Sequence, residues 1–452
     1  VILSYGPYAK GLAFQEGYPN QWERMVSQHP DVEAGSSNRY QNWEVVDPEK
    51  WVPDSYACVR VDSRGAGRSP GRLDPFAPRE TNDLAACIEW AADQPWSTGR
   101  VGLNGISYYA MNQWQVAGRA PRGLAAMCAW EGASDWYRDA TRHGGILSTF
   151  FGNWYEMQVT TVQNGLGERG PVNPNTGELA AGPDTLSDDE LAANRADFAA
   201  EVAAHPLDDD YHRARSGDWD QIEVPLFSAG NWGGHGLHLR GNVEGWVRSG
   251  SSRKWLELHG LEHWTHFYTD YGVALQKRFF GHFLKDEDTG WDDQPPVLLQ
   301  VRHADGTFRW VSVTGRVLAH DARGQASRML GVLLDITERK RAEEALLASE
   351  SRYRELFESN PQPMWVHDRE SLAFLAVNAA AVTHYGYSRQ EFLGMTIRDI
   401  GPADQAPEWL DAAARGREGR TPKPLWTHCR KDGSRIRVEI TSHALEYGHR
   451  PA

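Results

Sequence analysis

Short, almost uninterrupted apolar runs punctuate the first half of the chain: VILSY (1–5), YACVRVD (56–62), VGLNG (101–105), LAAMCAW (124–130), VPLFSAG (224–230) and WLELHG (255–260). Each has the length of a strand and ends near a small or polar residue. Between several of them lie amphipathic stretches of helical length, such as ETNDLAACIEWAAD (80–93) and YAMNQWQVAGRA (109–120). A strand that is apolar throughout must be buried on both faces, as in a parallel sheet covered by helices. The alternation therefore predicts an open α/β domain with a mostly parallel sheet.

Residues 151–222 break this rhythm. GLGERGPVNPNTGELAAGP (165–183) is rich in Gly, Pro and Asn and reads as loop. TLSDDELAANRADFAAEVAAH then opens with a capping box, Ser187 as N-cap and Glu190 three residues on. A helical insertion between two core strands predicts a lid over a cleft. From residue 335 the pattern turns charged and helical. Ala342, Leu346, Ser349, Tyr353 and Leu356 follow a heptad-like spacing across DITERKRAEEALLASESRYRELFESNP, which reads as a connecting helix able to pair with a second copy. Residues 358–452 mix short strands and helices in a small α+β module.

The chain also echoes itself. DGTFRWVSVTGRVL (305–318) aligns with DGSRIRVEITSHAL (432–445), each reading as an Asp-Gly turn between antiparallel strands. Only the tail of a unit is repeated, and such a fraction cannot bury a core of its own. The expectation is a join between two unrelated coding sequences near residue 303, either a genuine fusion or an error of sequence assembly.

Composition narrows the function classes. The chain has 452 residues, 40% of them hydrophobic, and 19 tryptophans, enough for two or three packed domains. Its net charge of −14 argues against nonspecific nucleic-acid or anionic-membrane binding. No apolar run reaches 18 residues, so no membrane span is expected. The four cysteines (Cys58, Cys87, Cys128 and Cys429) form no CxxC pair and suit a reducing, cytoplasmic compartment. The opening VILSY already reads as a core strand, so the chain is expected to begin inside a domain.

The sharpest chemical signal is VGLNGISYYAMNQW. A strand running through Gly105 and Ile106 into Ser107, with a helix beyond, is the setting of an exposed nucleophile on a tight turn. The strict pattern carries a second glycine where this chain has Tyr109. After WLELHG come three candidate bases, His259, His263 and His266. HGLEH (259–263) also fits an inverted zinc motif. That chemistry needs both histidines on one helix, and the strand-like residues before them and Gly260 between them argue against it.

QPWSTGRVGLNGISYYAMNQWQVA resembles the nucleophile region of the CocE/NonD hydrolases, the cocaine-esterase-like relatives of X-prolyl dipeptidyl peptidases. GPYAKG near the start, VRVDSRGAGRSPG (59–71) and ELHGLEHWTHFYTDYG (257–272) agree with it, over about residues 1–300. The resemblance implies a serine α/β-hydrolase acting on small esters, amides or peptides, with Ser107 as nucleophile and His263 as base. It also implies an oxyanion hole formed by the Tyr8 hydroxyl and the Tyr108 backbone N–H. The family's GWYD turn appears here as GNWGGHG, with Gly234 where an aspartate would stand, so the third triad member stays open among Asp135, Glu131 and Glu244. The hydrolase stops before the β-rich C-terminal domain the family would carry.

GVLLDITERKRAEEAL, SRYRELFESNPQPMWVHD and VNAAAVTHYGYSRQEFLGM resemble PAS sensory domains. The expected organisation is a hydrolase over 1–300, a partial PAC strand segment over 301–338, a connecting helix over 339–357 and a PAS domain over 358–452 lacking its last strand. No cofactor is expected: the cysteine-bearing string of flavin photoreceptors is absent, and His367 and His384 stand alone. The rival reading is a PAS signalling protein with an inert hydrolase portion.

Overall fold

The structure, a computed structural model, describes residues 1–234, 236–305, 307–320, 326–402, 425–444, 446–447 and 450–451. They divide into two units, Val1–Glu344 and Ala345–Ala452.

The first unit is built on one sheet. Its strands are β1 (Ile2–Gly6), β2 (Cys58–Asp62), β3 (Val101–Ile106), β4 (Leu124–Trp130), β5 (Leu226–Asn231), β6 (Lys254–His259), β7 (Val297–Arg302), β8 (Phe308–His320) and β9 (Ala326–Asp335), in the order β9-β8-β7-β6-β5-β4-β3-β1-β2. The seven strands from β1 to β7 pair in parallel. Its longer helices between these strands include α1 (Pro78–Ala92), α2 (Tyr108–Ala117), α3 (Leu239–Arg248) and α4 (Asp270–Lys285). Strand alternation explains the two cores. Val101 and Leu103 join Leu84, Ile88 and Trp114 on one face, while Ala126, Cys128 and Phe227 meet Phe279 and Phe280 of α4 on the other. Gly102 faces α4 as well, and a Cβ there would lie 2.4 Å from the Phe280 ring. The mostly parallel sheet covered on both faces is as expected.

The insertion lies between β4 and β5. The capping box at Ser187 forms as read: the Ser187 Oγ accepts the Glu190 N–H at 3.3 Å, and the Glu190 carboxylate accepts the Ser187 N–H at 2.8 Å. Phe151 and Trp154 of the insertion pack on Phe76 and Tyr108, beside the carboxyl end of the sheet.

The boundary falls elsewhere than residue 300. β8 pairs antiparallel with β7 from Phe308 opposite Arg302 to Ser312 opposite Leu298, and β9 pairs with β8. The segment read as a PAC remnant thus extends the hydrolase sheet. Trp310 and Ile336 bury against Leu298 and Tyr271. The helix α5 (Thr337–Glu358) begins in the first unit, where the Lys340 side chain is buried with its ammonium 5.5 Å from the Tyr271 ring. The physical reason is that a strand edge is completed through main-chain groups, which resemblance between side-chain strings does not report. On β9, Leu330, Val332, Leu333 and Leu334 remain exposed.

The second unit holds β10 (Trp365–His367), β11 (Phe374–Val377), α6 (Ala379–Tyr385), α7 (Arg389–Leu393), β12 (Leu425–Cys429) and β13 (Arg435–Glu439). Phe374, Val377, Tyr385, Phe392 and Ile400 form its core. Residues 403–424 of the expected PAS module lie outside the described residues. The two echoing turns are built alike: the Asp305 carboxylate accepts the Thr307 N–H and the Asp432 carboxylate the Ser434 N–H, both at 2.9 Å. Among the described residues no helix is long and apolar enough to cross a membrane.

Candidate active site

The chemistry-bearing residues collect at the carboxyl ends of the parallel strands, where open α/β sheets place their ligands. Ser107 follows β3 at φ 55° and ψ −111°, a region that side chains beyond glycine rarely adopt. Its N–H donates to the Trp130 carbonyl at 2.9 Å, and its carbonyl accepts the N–H groups of Ala110 and Met111, starting α2. The hydroxyl does not cap that helix, so Ser107 is no ordinary N-cap serine. Gly105 is required by close approach: a Cβ there would stand 2.4 Å from the Tyr109 Cβ and 3.1 Å from the Glu44 carbonyl.

Two oxyanion donors were expected, the Tyr108 N–H and the Tyr8 hydroxyl. The Tyr108 N–H belongs to the first turn of α2, where no carbonyl of the same helix can accept it. The Tyr108 phenol is engaged elsewhere, donating to the Glu80 carboxyl and accepting the Phe76 N–H at 3.3 Å. Burial pushes the Glu80 carboxyl up to about 7, with the bond from Tyr108 pulling the other way. Tyr8 is buried, and its ring lies 5.9 Å from that of Tyr108 and 5.8 Å from that of Tyr109. The Trp154 indole N–H donates to the Tyr8 oxygen at 2.9 Å. That leaves the phenolic proton as a donor, and burial, reinforced by the Glu44 charge, keeps it in place far above the usual tyrosine range.

His263 lies in the loop after β6, buried and stacked on His238 with ring centres 4.8 Å apart. Its Nε2 is 3.1 Å from the Glu44 Oε1. Glu44 was not anticipated from the sequence. It sits in a connection between β1 and β2, at φ 63°, with a buried carboxyl. Burial drives that carboxyl well above the ordinary value, only partly offset by the Trp43 indole. The Glu44 carbonyl accepts the Ile106 N–H at 3.0 Å. One residue therefore touches both the strand that ends at Ser107 and the imidazole of His263.

The candidate acids read from the sequence are placed differently. Asp135 accepts the Arg138 N–H and pairs with its guanidinium, both at 2.9 Å, capping the turn at 136–141. Local capping has claimed this carboxylate, and among the described residues no histidine is paired with it. Glu131 follows β4, where its Oε1 is 3.0 Å from the His259 Nε2 and its Oε2 accepts the Asn231 N–H. Burial lowers His259 to about 4, so it is neutral at neutral pH. His266 bonds to Glu257 at 3.0 Å, which also accepts the Tyr271 hydroxyl. Glu244 lies half-buried on α3. A Cβ at Gly234 would rest 3.5 Å from that of His238, so the turn has room for the side chain it lacks. The HGLEH string leaves a strand at His259 rather than forming a helix, and its two imidazoles lie against different carboxylates. Among the described residues no group of three or more His, Cys, Asp or Glu is arranged to hold a metal.

Residues 1–268 match the X-Pro dipeptidyl-peptidase (S15) family, and residues 351–420 match a PAS domain. A CocE/NonD family hydrolase from Staphylococcus aureus superposes with a TM-score of 0.55 at 33% identity, over 71% of this chain and 53% of that one. The cocaine esterase of Rhodococcus sp. (strain MB1 Bresler) is 36% identical over 89 residues, 20% of this chain and 15% of the esterase. The methyl sulfide methyltransferase-associated sensor of Methanosarcina acetivorans is 26% identical over 112 residues, 25% of this chain and 11% of the sensor. The chain thus spans about half of the similar hydrolase structure and smaller shares of these two relatives.

Proposed function

Because the chain belongs to the X-Pro dipeptidyl-peptidase (S15) family and joins that hydrolase to a PAS domain, we propose that its first unit is a serine hydrolase working through an acyl-enzyme. The observation that carries this reading is the strained turn at Ser107, which holds the hydroxyl off the helix at the carboxyl edge of the sheet. In this mechanism the Ser107 Oγ attacks the acyl carbon while His263 takes its proton. The oxygen that gains negative charge accepts from the Tyr108 N–H and the Tyr8 hydroxyl. One such donor is typically worth ~10²–10³ in rate. The imidazolium then returns the proton to the departing alcohol or amine, and water repeats the sequence on the acyl-enzyme.

The substrate class is an ester, amide or X-prolyl peptide of small size, reached beneath the aromatic insertion that carries Trp154. The exposed Leu346 and Leu356, at heptad-like spacing on α5, support pairing of that helix with a second copy of the chain. Purified protein should hydrolyse short p-nitrophenyl esters and react covalently with a fluorophosphonate at Ser107. Ester turnover surviving in Ser107→Ala would refute the assignment.

A further inference from the structure

A serine–histidine pair needs a third group that holds the imidazole and offsets the positive charge it acquires. The turn after β5, where the family resemblance puts an aspartate, has Gly234. Asp135 is committed to Arg138, and Glu131 faces His259 on the next strand. On the proposed serine-hydrolase reading, which this step presupposes, we infer that Glu44, approaching from the β1–β2 connection, is the positioning carboxyl of His263.

Four observations converge on it. The Glu44 Oε1 lies 3.1 Å from the His263 Nε2, and both side chains are buried, so the contact is little screened by water. The same residue is anchored to the nucleophile strand through its carbonyl on the Ile106 N–H, so the distance between base and nucleophile is set through one short tether. The backbone at Glu44 is held at φ 63°, the left-handed region, where a residue with a side chain is costly. Finally, the Trp43 indole also bonds to the Glu44 carboxyl, so the side chain is held between that ring and His263.

The phenols of Tyr8, Tyr18, Tyr109 and Tyr268 all feel the Glu44 charge, and burial makes a bare carboxylate expensive. Across the ring stands His238, and the neighbouring Glu262 in the loop is paired with Arg24. In the proposed step the Glu44 carboxylate accepts the His263 Nε2–H. When Nδ1 takes the Ser107 proton the ring becomes an imidazolium, and the carboxylate offsets its charge. A carboxylate on one ring nitrogen also raises the basicity of the other.

Ester hydrolysis should be followed against pH in wild type, Glu44→Gln and Glu44→Asp, with fluorophosphonate labelling and thermal unfolding of each. The expected result for Glu44→Gln is a kcat about 10²–10⁴-fold lower with KM little changed. Its acidic limb of kcat/KM should move down by about a pH unit or more, and labelling should slow in parallel. Glu44→Asp should recover part of kcat and keep the limb near its wild-type position. Should Glu44→Gln unfold, Glu44→Asp decides: wild-type kcat there overturns the role. Folded Glu44→Gln with an unmoved pH profile and near-wild-type kcat overturns the role while leaving the serine mechanism standing. A wild type that neither labels nor turns over ester overturns both.

Discussion

The turn at Ser107 stores strain, and its cost can be measured by replacing the serine with the residue the backbone prefers. At φ 55° and ψ −111° a side-chain-bearing residue sits about 1–3 kcal/mol above a relaxed conformation. Glycine adopts this geometry freely, but its unfolded chain has more freedom to lose, roughly 0.5–1 kcal/mol. The Ser107 hydroxyl caps nothing, so its removal leaves no partner orphaned in the helix. Ser107→Gly should therefore stabilise the first unit by about 0.5–2 kcal/mol. For a unit spanning Val1–Glu344, an unfolding entropy of about 2.1 cal/mol/K per residue gives ~0.7 kcal/mol/K, hence a rise of only about 1–3 °C in Tm. Urea titration is the sharper assay, with Ser107→Ala as control because alanine keeps the strain. Both variants should lose ester turnover, and only the glycine variant should gain stability. Equal stability of the two would refute the claim that the elbow is strained.

Two more outcomes follow from buried contacts. The Glu80 carboxyl, raised to about 7 from an ordinary 4.5, is favoured in its protonated form by the fold. Its contribution is complete below 4.5 and is lost as pH rises through 7, about 3 kcal/mol in all. Urea midpoints measured from pH 4 to 8 should fall more steeply in wild type than in Glu80→Gln, and identical slopes would contradict the assignment. A chain ending at residue 302 should unfold at markedly lower temperature than one ending at 344, because it strips Trp310 and Ile336 from Leu298 and Tyr271. Equal melting of the two would return the boundary to residue 302.

What could be read in the string of residues was what depends on neighbours in sequence. The strand, elbow and helix at 101–117, the capping box at Ser187 and the two Asp turns are all local, and each residue type announced its geometry. Glu44 was hidden because its partnership with His263 spans 219 positions. The available signal was an acidic residue inside the apolar run NWEVV, which has no reason to be buried unless paired. Asp135 misled for the opposite reason: its position after β4 suited a catalytic acid, but a neighbour three residues away claimed it. The boundary at 344 was missed because likeness to another family was read as separateness.

The ladder between β7 and β8 has a consequence for what the edge of the sheet tolerates. The hairpin of β8 and β9 is attached to β7 through amide and carbonyl groups that every residue possesses, and among the described residues it buries Trp310 and Val311. So short a list of conditions leaves the margin of the sheet tolerant of many hairpin sequences, provided the main-chain ladder continues.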